Sequence, residues 1–175
     1  MENNILIILS FKNFRDEEFN IPIEFFRKKG FNITLASNKA GKARGMKGTE
    51  VEIFNTIDTL EPEKYDAIIL VGGTGSEVFW NDKTLHSFLK KANQQKKIIA
   101  ASYKSPITLA YAGILKNKRA TVWIGDRDII DELGAYYTGS SIEIDGNIIT
   151  TDGPHSTKMF AEEIYNQIKK NHNES

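Results

Sequence analysis

The stretch Ile98-Ile99-Ala100-Ala101-Ser102-Tyr103-Lys104-Ser105-Pro106 begins as an apolar run and breaks off abruptly before a proline. A short continuous apolar run is typical of a strand buried on both faces, and proline suits the first turn of a helix. In α/β enzymes, a sharp turn from strand to helix carries a nucleophile, because it exposes one side chain above the sheet edge. The first N–H groups of the helix then point at that side chain and can stabilise negative charge there. The residue at the apex of this turn is Tyr103, which is not an obvious nucleophile.

Predicted strands and helices alternate on both sides of this turn. Apolar runs predict strands, and apolar residues at helical spacing followed by glycine predict helices. The predicted strands cover residues 5–9, 31–36, 51–54, 67–71, 98–101, 141–145 and 147–151, of which the last two form a hairpin at Asp145-Gly146. The predicted helices cover residues 16–29, 82–94, 106–112, 126–133 and 158–170, and a loop rich in Gly, Lys and Arg is expected at 38–48. This alternation predicts an α/β fold with a mostly parallel sheet, in a single domain over residues 1–170 with a polar tail at 171–175.

Four segments are expected to meet at one edge of this sheet. Ligands of parallel α/β sheets bind at the carboxyl ends of the strands. The segments that follow the strands at this edge are 10–18, 72–75, 102–105 and 151–156. The candidate site is therefore expected around Tyr103.

Composition argues against several classes of function. The chain has 175 residues, with 23 Lys and Arg against 23 Asp and Glu, and its basic residues are dispersed along the sequence. No general attraction to nucleic acid or to an anionic membrane is therefore expected. No apolar run approaches the roughly 18 residues of a membrane span, and no leader precedes Ile5, so we expect a cytoplasmic protein. Because the chain has no cysteine, it cannot form disulfides, use a thiolate or bind a metal through thiolates.

Four motifs resemble those of the ThiJ/PfpI family. They are Phe14-Arg15-Asp16-Glu17-Glu18 followed by Pro22, Tyr65-Asp66-Ala67-Ile68-Ile69-Leu70-Val71-Gly72-Gly73, Ala112-Gly113-Ile114-Leu115-Lys116 with Ala120-Thr121, and Asp145-Gly146-Asn147-Ile148-Ile149-Thr150-Thr151 with Gly153-Pro154. The resemblance extends from Ile5 to about Ile168. It implies a flavodoxin-like three-layer α/β/α sandwich, like that of class I glutamine amidotransferases, and a homodimer. The family includes deglycases, PfpI-type proteases and chaperone-like glyoxalases.

The sequence departs from the family pattern at the elbow, by which we mean the turn 101–106. Tyr103 occupies the position of the family's nucleophilic cysteine, and Lys104 the position of a histidine in its protease-like branch. Ser105 replaces a glycine. Many members have His or Tyr followed by Pro where this chain has Val122-Trp123-Ile124, and Asp152 replaces an arginine. The resemblance therefore implies the family's scaffold without its thiol chemistry.

Two parts of the family's site are retained. Glu18 matches the residue that protonates or hydrogen-bonds the thiol, and the Gly72-Gly73 amides match half of the oxyanion site. Without a thiol, Glu18 could interact with Tyr103 or Lys104. It could also simply complement the dipole of the helix in whose first turn it lies.

Each candidate nucleophile or base has a structural alternative. The Tyr103 phenol, with an ordinary pKa of about 10, is a poor nucleophile and could instead be an aromatic plug that fills the pocket. Lys104 would need a depressed pKa to act as a nucleophile, so an ion pair or an exposed position is expected. His155 could serve as a general base or could only be a neighbour of a helix N-cap. Ser102 and Ser105 are expected to point away from the apex.

The remaining histidines and the glycine-rich turn predict neither a metal nor a cofactor. His86 is expected on a helix and partly exposed, and His172 is expected in the polar tail. The turn Gly72-Gly73-Thr74-Gly75-Ser76 lacks the spacing of nucleotide-binding motifs. We interpret it as a turn with exposed amides.

Three hypotheses on function follow from the sequence. The first is a small-molecule-binding or regulatory protein without thiol catalysis. The second is an enzyme of altered chemistry that acts on small carbonyl compounds through Glu18 with Lys104, Tyr103 or His155, and the third is a chaperone-like or structural role. The pocket is predicted to be lined by Glu18, Gly72, Gly73, Tyr103, Lys104, Trp123, Asp152, Pro154 and His155. Because the frame around Tyr103 is intact, we predict a positive φ angle at this residue.

Overall fold

Twelve strands form three sheets in the computed structural model, which describes residues 3–174. The strands are β1 (Asn4–Ile8), β2 (Lys12–Phe14), β3 (Asn32–Ser37), β4 (Gly41–Gly45), β5 (Glu50–Ile53), β6 (Asn55–Thr56), β7 (Ala67–Leu70), β8 (Ile98–Ser102), β9 (Arg119–Ala120), β10 (Tyr136–Tyr137), β11 (Ile142–Asp145) and β12 (Ile148–Thr151). The central sheet has seven strands in the order β11-β12-β8-β7-β1-β3-β6. Only its edge strand β11 is antiparallel to its neighbour. The four central strands therefore end at the same edge.

Within residues 3–174, five α-helices cover the central sheet. They are α1 (Asp16–Lys28), α2 (Lys83–Gln94), α3 (Pro106–Tyr111), α4 (Arg127–Glu132) and α5 (Thr157–Asn173). In β1, Ile5 and Ile7 pack into the core beneath α1 and α5, whereas Leu6 and Ile8 pack into the core beneath α2, α3 and α4. Successive side chains of a strand point to opposite faces, so the uninterrupted apolar run of β1 supplies both cores. The expected α/β/α sandwich with a mostly parallel sheet is confirmed.

A second, three-stranded sheet lies beside the candidate site. Strand β2 pairs with β4 in parallel, and β4 pairs with β5 as an antiparallel hairpin. The expectation of a loop at 38–48 is wrong in part, because β4 occupies Gly41–Gly45. Glycine and charged residues are unusual in strands, and here cross-strand pairing with β5 outweighs this local preference.

Two histidines lie in other environments than expected. His86 is buried, with 4% of its surface exposed, and the Trp80 backbone lies within hydrogen-bonding reach of its imidazole. This burial lowers the pKa of His86. His172 was expected in the polar tail, but α5 extends to Asn173 and the His172 Nε2 atom lies 3.1 Å from Asp66 Oδ1. Ser175, the last residue of the expected tail, lies outside the described residues.

Within residues 3–174, no helix is both long and apolar enough to cross a bilayer.

Candidate functional site

Tyr103 stands at the apex of the turn between β8 and α3. Its φ angle is 57°, which confirms the predicted positive value. For a bulky residue this left-handed conformation costs on the order of 1 kcal/mol or more. Two backbone hydrogen bonds of 2.9 Å hold it there: the Tyr103 N–H donates to the Thr151 carbonyl, and the Trp123 N–H donates to the Tyr103 carbonyl. The strain is therefore maintained by two neighbouring segments.

Glu18 approaches the elbow from the first turn of α1. A Cβ atom built on Gly72 would collide with the Glu18 carboxylate and would lie 2.7 Å from the Tyr103 Cβ. The absence of a side chain at Gly72 thus allows both the carboxylate and the tyrosine to approach this residue closely. Glu18, Gly72 and Tyr103, which were predicted to line one pocket, therefore lie next to one another.

The Glu18 carboxyl group lies in a buried and poorly solvated environment. Only 2% of its residue surface is exposed, and neither carboxyl oxygen has a hydrogen-bond partner of good geometry among the described residues. Burial raises the pKa of Glu18 to about 7, although the nearby Ser102 hydroxyl and Gly72 amide oppose this effect. The group therefore exchanges its proton near neutral pH, which is the property required of a general acid or base.

The Gly72 amide is already engaged. Its N–H donates to the Ser102 hydroxyl over 3.2 Å, and the Gly72 carbonyl accepts a hydrogen bond from the Arg15 N–H over 2.9 Å. Gly73 has a φ angle of 111°, and a Cβ atom there would lie 2.5 Å from the Arg15 nitrogen. The turn is thus shaped by close packing against the segment before α1. The amide of Gly72 stabilises the turn instead of pointing freely towards a ligand.

Lys104 carries a neutralised and largely buried charge. Its Nζ atom lies 3.1 Å from Glu77 Oε1 and 3.3 Å from Asp126 Oδ2, and 11% of its side chain is exposed. The same Nζ lies 5.5 Å from the centre of the Trp80 ring and 5.1 Å from that of Trp123, distances typical of cation–π contacts. Burial lowers the pKa of Lys104, but the two carboxylates outweigh it, so that the pKa is raised overall. Of the alternatives weighed for Lys104, the ion pair is the one observed.

The segment that follows β12 places Gly153 and His155 near the Tyr103 ring. His155 Nε2 is 3.3 Å from Asp152 Oδ1, and 66% of the histidine side chain is exposed. A Cβ atom on Gly153 would lie 3.5 Å from His155 Nδ1 and 3.9 Å from Tyr103 Cδ2, so this glycine lies close to both the imidazole and the phenol ring. Pro154 begins the 3-10 turn Pro154–Ser156, which leads into α5. The Trp123 ring centre also lies near Tyr103, 5.6 Å from that of the tyrosine.

Four residues at this site were absent from the predicted pocket. Glu77, Asp126 and Trp80 surround the Lys104 ammonium group, and Ser102 lies next to Glu18. Ser102 was expected to point away from the apex, and its hydroxyl indeed points back towards Gly72. Its place directly before Tyr103 could have suggested this role. The partners of Lys104 come from other parts of the chain and have no local sequence signal.

Within residues 3–174, no group of three or more His, Asp or Glu side chains is arranged to hold a metal ion.

Comparison with known proteins identifies the scaffold. A sequence model of the DJ-1/PfpI family matches residues 3–167. The chain belongs to the DJ-1/PfpI family. An uncharacterised protein of Methanocaldococcus jannaschii is 37% identical over 171 residues, which cover 95% of this chain and 83% of the relative. A deglycase of Thermococcus kodakarensis is 28% identical over 164 residues, covering 94% of this chain and 99% of the relative.

Solved structures agree with this assignment to the DJ-1/PfpI family. A ThiJ/PfpI domain protein from Brachyspira murdochii superposes with a TM-score of 0.93 at 28% identity, covering 97% of this chain and 98% of that protein. DJ-1β of Drosophila melanogaster superposes with a TM-score of 0.87 at 24% identity, covering 96% and 91%, which establishes the common fold.

Proposed function

We propose that this DJ-1/PfpI protein binds a small molecule at the elbow and performs no thiol chemistry, so that its role is binding or regulation. The observation that carries the proposal is Tyr103 itself. It keeps the strained geometry of a nucleophile position, with a φ angle of 57°, while presenting an aromatic ring in a chain without cysteine. The turn still presents one side chain above the sheet edge. That side chain is the aromatic ring of Tyr103, which offers a surface for stacking in place of a cysteine sulfur.

The charges around Tyr103 support binding over catalysis. The Lys104 ammonium group is held by Glu77 and Asp126, which keep it protonated and therefore not nucleophilic. His155 is paired with Asp152 at the surface. The rings of Tyr103 and Trp123, with 38% of Trp123 exposed, offer an aromatic surface beside this imidazole. Such a surface suits a small planar ligand with a polar group.

A second candidate function is an enzyme of altered chemistry on small carbonyl compounds. One observation favours it: Glu18 has a pKa of about 7 directly beside Tyr103, and could therefore donate or accept a proton there. Relatives named deglycases, from Thermococcus kodakarensis and Pyrococcus furiosus, are consistent with such a substrate class. Lys104, Tyr103 or His155 would then assist Glu18.

An aldehyde-consumption assay separates these two functions. We expect no consumption of methylglyoxal above a buffer control, because the family's thiol is absent. Turnover that is lost in Glu18→Ala but retained in the exposed control Glu24→Ala would establish the second function. Turnover that survives Glu18→Ala, with contaminants excluded, would contradict both assignments of the site.

Ligand screening by thermal shift tests the binding function directly. We expect small aromatic or heteroaromatic acids and amides to raise the melting temperature of the protein. The effect should disappear in Tyr103→Ala and Trp123→Ala and persist in Tyr136→Ala, an exposed aromatic on β10. Stabilisation by no compound, or equal stabilisation of all three variants, would favour a chaperone-like or structural role.

We also propose a homodimer and a cytoplasmic location. Both follow from the family resemblance and from the composition of the chain. Sedimentation at several protein concentrations tests the dimer, and fractionation of the source cells tests the location.

A further inference from the structure

A strongly basic cavity lies on the second sheet, and Tyr103 is not among its lining residues. Its volume is about 460 Å³, within the usual size range of small-molecule sites. The cationic side chains that line it are Lys12, Lys42, Arg44 and Lys47, and no Asp or Glu is among its lining residues. Three of these residues lie close together at 42–47, and the pairing of β2 with β4 brings Lys12 beside them.

Two of these four cationic side chains form ion pairs with neighbouring carboxylates. Lys42 Nζ lies 3.7 Å from Glu50 Oε2, and Lys47 forms an ion pair with Glu17. Among residues 3–174, no carboxylate lies within ion-pair distance of Lys12 or Arg44. Because Lys12 and Arg44 have no such partner, the cavity keeps a positive character although the whole chain has no net charge.

The rim of the cavity is fixed by a buried carboxylate. Asp16, with 5% of its surface exposed, accepts hydrogen bonds from the N–H groups of Lys47 over 2.7 Å and Thr49 over 2.9 Å. Burial raises the pKa of Asp16, but hydrogen bonds from Thr49 and Lys47 outweigh this and lower it below its ordinary value. The turn is therefore organised before any ligand arrives, which reduces the entropic cost of binding.

The cavity also has apolar walls and room to extend. Phe11 and Met46 line it, and 41% of Met46 is exposed. A second cavity of about 400 Å³ shares Phe11 and Lys12 with the first and adds Lys39, whose Nζ lies 5.1 Å from the Phe11 ring centre. A ligand with one anionic end and one apolar or aromatic part matches this combination.

We propose that this cavity binds a small organic phosphate, a phosphomonoester whose apolar part lies against Phe11 and Met46. The Arg44 guanidinium group would bind two phosphate oxygens at once, and Lys12, directly paired with Arg44 in the β2–β4 register, would supply a second charge. A phosphomonoester carries close to two negative charges at neutral pH, which match the two unpaired cations. This site is independent of the function proposed for the elbow.

Calorimetry with phenyl phosphate as the probe, at constant ionic strength, tests the proposal. We expect saturable binding at one site per chain, weaker binding of inorganic phosphate, and none of benzyl alcohol. Arg44→Ala and Lys12→Ala should each weaken phenyl phosphate binding about tenfold or more, since each removes a charge-assisted hydrogen bond. Arg44→Lys should lie in between, and Lys90→Ala, an exposed lysine of α2, should bind as the unchanged protein does.

Several results would overturn the phosphate site. They are the absence of saturable binding, equal binding by Arg44→Ala and Lys90→Ala, or stronger binding of citrate than of phenyl phosphate. Circular dichroism verifies that each variant is folded; if Arg44→Ala is not, Lys12→Ala and Arg44→Lys give the same test. Binding that is lost in Tyr103→Ala would assign the anion to the elbow and would also contradict the proposal.

Discussion

Tyr103 shows how neighbouring segments can hold a residue in a strained conformation. Its positive φ angle is enforced by hydrogen bonds to Thr151 and Trp123, which belong to two other segments of the chain. Relaxing the angle would break both bonds, each of which contributes about 1 kcal/mol. The geometry of the elbow is therefore a property of its neighbours, and the identity of the apex residue can change without loss of the turn.

Replacing Tyr103 with cysteine should restore a reactive thiol. In Tyr103→Cys, the sulfur would lie beside Glu18 and at the start of α3, where the thiolate is favoured and the thiol pKa falls below about 8.5. We expect it to react with iodoacetamide at pH 7 faster than free cysteine does, and Glu18→Ala to change that rate. Measuring the rate against pH gives the thiol pKa.

The matched control for this variant is Tyr111→Cys. Tyr111 lies on the same short helix and is 41% exposed. Its thiol should react like free cysteine. If the thiol at position 103 reacts in the same way as this control, Glu18 and the start of α3 do not activate a thiol at the elbow. Such a result would favour a chaperone-like or structural role for the protein.

Glu18 should make the stability of the protein depend on pH. The unfolded chain ionises this group near its ordinary pKa of 4.5, whereas the folded protein holds the proton until about pH 7. Between these values the folded state binds more protons, so the free energy of unfolding falls as the pH rises, by up to about 3 kcal/mol. Glu18→Gln, which stays neutral, should lack this fall.

Urea unfolding at pH 4.5, 6 and 8 measures this effect as the difference between Glu18→Gln and the unchanged protein. We expect the variant to gain relative stability as the pH rises and to show no further gain above about pH 8. Glu24→Gln, on the exposed face of α1, should follow the unchanged protein closely. A constant difference between Glu18→Gln and the unchanged protein at all three values would show that Glu18 ionises normally in the folded state.

At the scale of elements, Lys104 connects three parts of the chain. It lies between the 3-10 segment Thr74–Phe79, which contains Glu77, and the short turn Ile124–Asp126 before α4. Asp126 is 7% exposed and depends on Lys104 for its balancing charge. One side chain thus holds the elbow, the turn after β7 and the start of α4 together.

Removing the Lys104 charge should therefore destabilise the fold. Lys104→Met keeps most of the side-chain volume but leaves the Asp126 carboxylate buried without a partner, at an expected cost of about 2 kcal/mol. The double variant Lys104→Met/Asp126→Asn should recover most of this loss. Urea unfolding of both single variants and the double variant gives the coupling energy. A coupling energy near zero would mean that the ion pair contributes nothing.

At the scale of the whole molecule, two faces of the central sheet serve different sites. The core beneath α1 and α5 includes Phe14 and Phe19, next to Glu18 and the basic cavity. The core beneath α2, α3 and α4 includes Leu109 of α3 and Ile130 of α4, the two helices that begin just after Lys104 and Asp126. A neutral chain thereby presents an aromatic surface at one place and a basic cavity at another, and each can be tested without disturbing the other.

Local patterns in the sequence determined much of this architecture. The apolar runs of β1, β7 and β8 predicted the central strands because a strand buried on both faces needs no polar positions. Asp145-Gly146 predicted the hairpin of β11 and β12, since this dipeptide favours the required turn. The elbow could also be predicted from the sequence, because it depends on adjacent residues. The absence of a thiol follows from the composition alone.

The electrostatics of the protein depend on packing between segments that are distant in the sequence. Glu18 obtains a pKa of about 7 from burial that its own acidic neighbours do not reveal. The partners of Lys104 and the grouping of Lys12 with Arg44 likewise arise from contacts between segments far apart in the chain. Secondary structure follows from interactions within a few residues, whereas solvation and charge balance depend on every group that packing brings near. The sequence therefore determined the scaffold and excluded thiol chemistry, and the packing of distant segments decided which charges remain available to a ligand.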